Sequence, residues 1–297
     1  MKNKPMFLFI LIFTTSLNAS VPDEVGYRFS LLVAAPPAEV QVVDETGNRL
    51  GADFTRPIDQ FGRQGAQFDG LREIPNSNVE QENFSNQEGP NIGAPSTKTF
   101  WKLEIKNVVS KENLKIIFFG LGNALVPVPI SFRKGTSVQS MKSIEPYIFT
   151  KSGNETELDI ELDPNSEKMG ATRVVAKGQL AGDVEAACAR GDISPNVACS
   201  ILDSLALEID SNLDIKEKRE SLKLFKRILE RLNNFGKSGN LDWNDFDESS
   251  CEKLKKYKGD EKFFAKDPSY SILNEEADAL LKLLPKDDDH DRNGDGR

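Results

Sequence analysis

The apolar residues of this chain change period part-way along it, from two to between three and four, so no fold built from one kind of element can hide them all. Between Val25 and Pro164 the period is two. Tyr27, Phe29, Leu31 and Val33 alternate with small or polar neighbours, and Val40 and Val42 repeat the pattern before a turn at Asp44-Glu45-Thr46-Gly47-Asn48. Trp101, Leu103 and Ile105 alternate against Lys102, Glu104 and Lys106, and Leu114 to Phe119 is a continuous apolar run ending at Gly120. Val126, Val128, Ile130 and Phe132 alternate again, with Pro127 and Pro129 on the other face, which places that strand at a sheet edge. Leu158, Ile160 and Leu162 alternate with Glu155, Glu157, Asp159, Glu161 and Asp163. That acidic face reads as a solvated outer surface or, alternatively, as a face for cations or a basic partner. Short strands with turns between them predict an antiparallel β-sandwich over residues 25–165, with Asp53 to Pro95 as long polar loops across it.

Residues 171–285 carry the helical period. Ser194-Pro195 predicts a helix start, with Val197, Ile201, Leu205 and Ile209 on one stripe. Ile215, Leu222, Phe225, Ile228, Leu229, Leu232 and Phe235 form a longer stripe opposite Lys and Glu. Asn274 reads as a cap for Glu275-Glu276, followed by Ala277, Leu280, Leu281 and Leu284 and a stop at Pro285. Such stripes must cover one another, so a small helical bundle is expected. The fold class is therefore an all-β plus all-α chain of two domains, followed by an acidic tail over 286–297.

The ends carry the remaining signals. Lys2 and Lys4, the apolar run Met6 to Phe13 and the small residues closing at Ala19 predict a signal peptide over residues 1–19. The run is too short to span a bilayer, so the mature chain is expected to have no transmembrane segment and to be secreted, at the cell surface or periplasmic. Losing Lys2 and Lys4 takes the formal charge from −9 to −11, which disfavours nucleic acid as a partner. Cys188, Cys199 and Cys251 allow one disulfide in an oxidising compartment, and sequence does not choose the pair. His290 is the only histidine and lies in the tail, which excludes a Ser-His-Asp triad, a Cys-His dyad and a two-histidine metal site within one chain.

The tail places hard oxygen donors at alternate positions. Asp291, Asn293, Asp295 and Gly296 fit the first half of a calcium loop in one register, and Asp289, Asp291, Asn293 and Gly294 in another. Asp289, Asp291, Asn293 and Asp295 are the candidate ligands, and calcium is the ion that oxygen donors without sulfur favour. The chain stops before a closing bidentate carboxylate in either register. Asn234, Gly236, Ser238, Gly239, Asp242 and Asp245 form a second loop register with a neutral first position and no side chain at the third. It reads as a helix-loop-helix turn or a weak site. Gly120-Leu121-Gly122 follows an apolar strand, but Pro127 and Pro129 forbid the helix a dinucleotide site needs, so it reads as a turn. Asn83-Phe84-Ser85 and Asn154-Glu155-Thr156 match the glycosylation pattern.

Several stretches of the helical half match a known module. They are Gly191 to Ala198 (GDISPNVA), Ser200 to Leu205 (SILDSL), Leu229 to Phe235 (LERLNNF), Lys237 to Leu241 (KSGNL) and Leu273 to Leu281 (LNEEADALL). Together they resemble the FIMAH domain, a small helical module near the C-termini of secreted and surface proteins of bacteria and archaea. Asp242 to Ser271 departs from it as a long lysine-rich insertion with Cys251. Val42 to Gly51 and Glu73 to Ser77 resemble the β-sandwich that often precedes such modules, and the tail resembles the start of a dockerin-type or thrombospondin-type-3 calcium repeat. These resemblances imply display, adhesion or attachment and bring no catalytic residues. The expectation is a secreted, non-enzymatic surface or docking protein that meets an extracellular surface, a polysaccharide or a protein partner. The alternative is a secreted carboxylate-based hydrolase on the sandwich, with Asp53, Asp59, Asp69 and Glu73 as suppliers of the acid pair.

Overall fold

Residues with period two fold as strands whose inward side chains meet between two packed sheets. The structure is a computed structural model that describes residues 26–34, 38–56, 70–85, 97–135, 141–211, 213–238, 252–256 and 262–285. The strands are β1 (Tyr27–Ala34), β2 (Ala38–Val43), β3 (Arg49–Gly51), β4 (Leu71–Arg72), β5 (Ser77–Ser85), β6 (Thr97–Val108) and β7 (Glu112–Gly120). They continue as β8 (Ala124–Pro127), β9 (Ile130–Lys134), β10 (Lys142–Ile144), β11 (Tyr147–Thr150), β12 (Glu155–Asp163) and β13 (Lys168–Val174). One sheet has the order β10-β9-β1-β6-β5 and the other β13-β12-β7-β2-β3-β4, with antiparallel pairing throughout both. Phe29, Leu31 and Leu103 of the first sheet share one buried core with Val40, Ile116, Phe118 and Ile160 of the second.

The acidic face of β12 points to solvent, as its alternation requires. Lys115 of β7 pairs with Glu157 at 2.9 Å and Lys111 pairs with Glu161, so lysines of the neighbouring strand and turn interleave with the acids.

Four expectations change. The alternating run at Val126 to Phe132 is not one edge strand: it divides at the prolines into β8, paired with β11, and β9, which lies inside the first sheet between β10 and β1. Proline offers no N–H to a ladder, so the chain changes partner there; Val128 N–H instead donates to the Pro146 carbonyl at 2.9 Å. The supposed loop from Asp53 to Pro95 contains β4 and β5, and β5 pairs with β6 from Ser77 opposite Ile105 to Ser85 opposite Thr97. Strand pairing also runs past residue 165, because β13 pairs with β12 as far as Val174 opposite Glu157. The helical half therefore begins after Val174 and not at 171.

The helical half comprises α1 (Gln179–Ala189), β14 (Ile193–Ser194), α2 (Asn196–Asp210), α3 (Ile215–Ser238), α4 (Glu252–Lys255), β15 (Phe264–Ala265) and α5 (Ser269–Leu283). Its core joins Leu180 and Val184 of α1, Leu202 and Leu205 of α2, Phe225, Ile228 and Leu232 of α3, and Ile272 and Leu273 of α5. Asp214 caps α3 by accepting Glu217 N–H at 2.8 Å, while Glu217 returns a carboxylate oxygen to Asp214 N–H at 3.4 Å. The fourth change concerns caps: Ser194 lies in β14 and α2 has no side-chain cap, while Asn274 sits inside α5, which starts five residues earlier at Ser269. Ile215, at the very start of its stripe, is exposed.

The disulfide pair left open by sequence is Cys188–Cys199, with a Cα–Cα distance of 5.9 Å, and it ties the end of α1 to the start of α2. Cys251 lies outside the described residues. Closing a loop with a sequence separation of 11 restricts the unfolded chain, so replacing both cysteines by alanine is expected to cost roughly 3 kcal/mol. Urea unfolding of the variant against the parent protein measures that loss.

Candidate functional site

Strands β8 and β11 form a two-stranded ribbon that serves both halves, because successive residues of a strand face opposite ways. Ile148 is buried in the sandwich core, and its neighbour Phe149 is buried in the helical core, where Leu125 and Tyr147 also pack. Gly120 lets the end of β7 tuck against the following turn: a Cβ there would lie 2.2 Å from the Lys151 carbonyl oxygen. The Gly120 to Gly122 segment is thus the connection between β7 and β8, as its prolines imply.

Beside this ribbon, three charged side chains from three elements meet out of water. Arg173 stands opposite Leu158, on the inward face of β13, and its side chain is 3 % exposed. It donates from Nη2 to the Tyr147 carbonyl. Its Nε lies 3.8 Å from Glu276 Oε1 of α5, and Nη2 lies 3.9 Å from Oε2 of the exposed Glu275. Gln179, the first residue of α1, donates from Nε2 to Glu276 Oε1 at 3.2 Å and accepts Ala176 N–H at 3.1 Å. One turn further along α1, Asp183 is buried as well, and Glu276 is fully buried.

Two carboxyl groups and one guanidinium cannot all be charged here without leaving a net buried anion. Burial pushes the Glu276 carboxyl well above the usual carboxylate range, and the neighbouring Asp183 charge pushes it further; Arg173 and Gln179 oppose the shift. Asp183 is also raised, again by burial first, against the hydrogen bond from Glu276 and the charge of Arg173. One proton held between the two acids leaves one carboxylate against one guanidinium. It also provides for Asp183 Oδ2 and Glu276 Oε2, which have no other hydrogen-bond partner. At the rim, the exposed Lys151–Glu185 pair at 3.1 Å adds little. Glu276 is inaccessible, so the arrangement as it stands bonds the two halves and admits no substrate.

The residues singled out from sequence are not part of this cluster. Asp289, Asp291, Asn293 and Asp295 lie outside the described residues, as do Asp59, Asp69 and most of the second loop. The start of that loop is helical: Asn234 to Ser238 are the last five residues of α3, so the first five loop positions do not form a calcium turn. Asp53 accepts the Thr55 hydroxyl at 2.6 Å, which holds its carboxyl below the usual range, with Arg56 assisting at 3.4 Å. Glu73 takes a two-pronged bond from Arg49 at 2.9 and 3.0 Å, which also holds it low. Both are therefore ionised where a glycosidase acid needs a raised pKa. Among the described residues no three His, Cys, Asp or Glu side chains gather as metal ligands, and no helix is long and apolar enough to cross a membrane.

Sequence reasoning missed Arg173, Asp183 and Glu276. A faint signal exists: Asp183 interrupts the apolar positions Leu180, Val184 and Ala187, and Glu276 lies between Leu273 and Ala277 on the stripe of α5.

No family model matches the chain. No curated protein matches it either. Among solved structures it is aligned with one titled as the structure of Astrotactin-2, a conserved vertebrate-specific and perforin-like membrane protein involved in neuronal development. The identity is 9 % over 90 % of this chain and 36 % of that one, with a TM-score of 0.14. The chain thus spans about a third of that protein's length, and a likeness this faint supports no inference about fold or role.

Proposed function

We propose that this chain is a secreted, non-enzymatic surface or docking protein in which the sandwich contacts an extracellular surface, a polysaccharide or a protein partner. The helical half acts as a FIMAH-like docking or spacer module, and the acidic tail takes up calcium through Asp289, Asp291, Asn293 and Asp295. The observation that carries the reading is the junction: Phe149 and the Arg173–Asp183–Glu276 cluster bind the two halves in a closed contact, the build of a piece that presents its outside. The Cys188–Cys199 disulfide supports export, since such bonds persist in oxidising compartments. The low pKa values of Asp53 and Glu73 weigh against the hydrolase alternative.

Sedimentation with insoluble polysaccharide or cell-envelope material, with and without calcium, tests the presentation role. Binding without consumption of the material supports it, and turnover at a defined pair of carboxylates contradicts it. Calorimetry tests the tail separately. Calcium heat is expected from the full chain and not from a chain ending at Lys286, and equal uptake by both removes the tail from the account.

A further inference from the structure

We propose that the Arg173–Asp183–Glu276 cluster is a proton-operated latch, which holds the helical half against the sandwich in mild acid and loosens it as pH rises. The inference concerns the junction alone and is independent of what the presented surface binds. It rests first on placement. The three groups come from β13 on one side and from α1 and α5 on the other, so separating the halves necessarily separates them. It rests second on valence. Asp183 Oδ2 and Glu276 Oε2 are buried without a donor, as Arg173 Nε and Nη1 are without an acceptor, and a proton shared between the two acids gives one oxygen a hydrogen to donate and the other a donor to accept from.

The groups facing Glu276 define the balance. From β13 comes Arg173, from α1 come Asp183 and Gln179, and from α5 itself comes Glu275. Lys151, paired with Glu185, acts on Asp183 from the turn after β11. On the α3 side, Lys226 is already engaged with Asp278 of α5. With one proton the cluster is neutral. Without it, two carboxylates face a single guanidinium in a site closed to water.

The sign follows from the raised pKa. In the open state both acids are solvated and titrate in the ordinary range; in the closed state the pair keeps one extra proton. Closure is therefore favoured most below the ordinary carboxylate range. It weakens by about tenfold in equilibrium constant per pH unit from there up to the closed-state pKa of Glu276, and then levels off.

Hydrogen exchange of the intact protein tests this when wild type is compared with Glu276→Gln at each pH, so that intrinsic exchange cancels. The glutamine amide donates to Asp183 as the protonated acid does and cannot ionise. The exchange ratio of wild type to variant in α1 is expected to grow by about tenfold per pH unit from mild acid upward, while β6 in the sandwich core keeps a constant ratio. A constant ratio in α1 would overturn the latch. So would an equal rise in β6, because that reports loss of overall stability. Should Glu276→Gln fail to fold, Asp183→Asn, which removes the charge that pushes Glu276 further up, replaces it as the reference, and the ratio of wild type to variant in α1 is again expected to grow with pH.

Discussion

Replacing Arg173 by methionine is expected to destabilise the protein by about 3–5 kcal/mol, because it leaves two acids buried without the guanidinium packed beside them. The aliphatic part of methionine fills most of the arginine stem's space, so the loss reports charge more than volume. The Nη2–Tyr147 carbonyl bond is lost as well, which leaves that carbonyl unsatisfied where arginine was 3 % exposed. Urea unfolding should show a lower midpoint for Arg173→Met, with the deficit widest at high pH, where the second acid ionises too. A change below 1 kcal/mol would mean that Asp183 and Glu276 reach water in the native protein.

Phe149→Ala is expected to cost about 3–5 kcal/mol as well, through transfer and the cavity left behind. Its particular effect should be on cooperativity. Phe149 grows from the sandwich ribbon but is 3 % exposed within the helical core, so its ring belongs structurally to both halves. Removing it should separate a single thermal transition into two, the helices melting first. Ile148→Ala, one residue away and turned into the sandwich, should lower stability without that separation.

How much of this was legible in the sequence depends on how each segment is buried. The strands at Tyr27 to Val33 and at Leu158 to Leu162 declare themselves because one face is apolar and the other is not. β5 does not: of Ser77, Asn78, Val79 and Glu80 only Val79 is buried, so an edge strand there resembles a polar loop. β13 hides for a related reason, since Gly170, Ala171 and Thr172 are exposed and its one buried position is an arginine. α1 is short and rich in alanine, with a weak stripe. The stripe of α3 is long enough to be plain, and only its first residue, Ile215, departs from it.

The buried cluster was the least legible feature because its logic is tertiary. Glu276 next to Glu275 looks like charge at a helix start, the natural reading of Asn274-Glu275-Glu276. Only the earlier start of α5, at Ser269, turns Glu276 inward. Arg173 is distinguished by strand parity alone, and parity is uninformative until β12 and β13 are paired. A charged residue inside an apolar stripe is the sequence sign to look for, and it needs a partner from another element before it means anything.

The central claim is that the two halves behave as one body. Trp101 is buried in the sandwich, and in a Trp243→Phe background it becomes the single tryptophan. Its fluorescence then reports the strands, while circular dichroism at the helical band reports the bundle. In mild acid the two urea unfolding curves should coincide in midpoint and slope. Helical signal lost at clearly lower urea than the Trp101 signal would contradict the account.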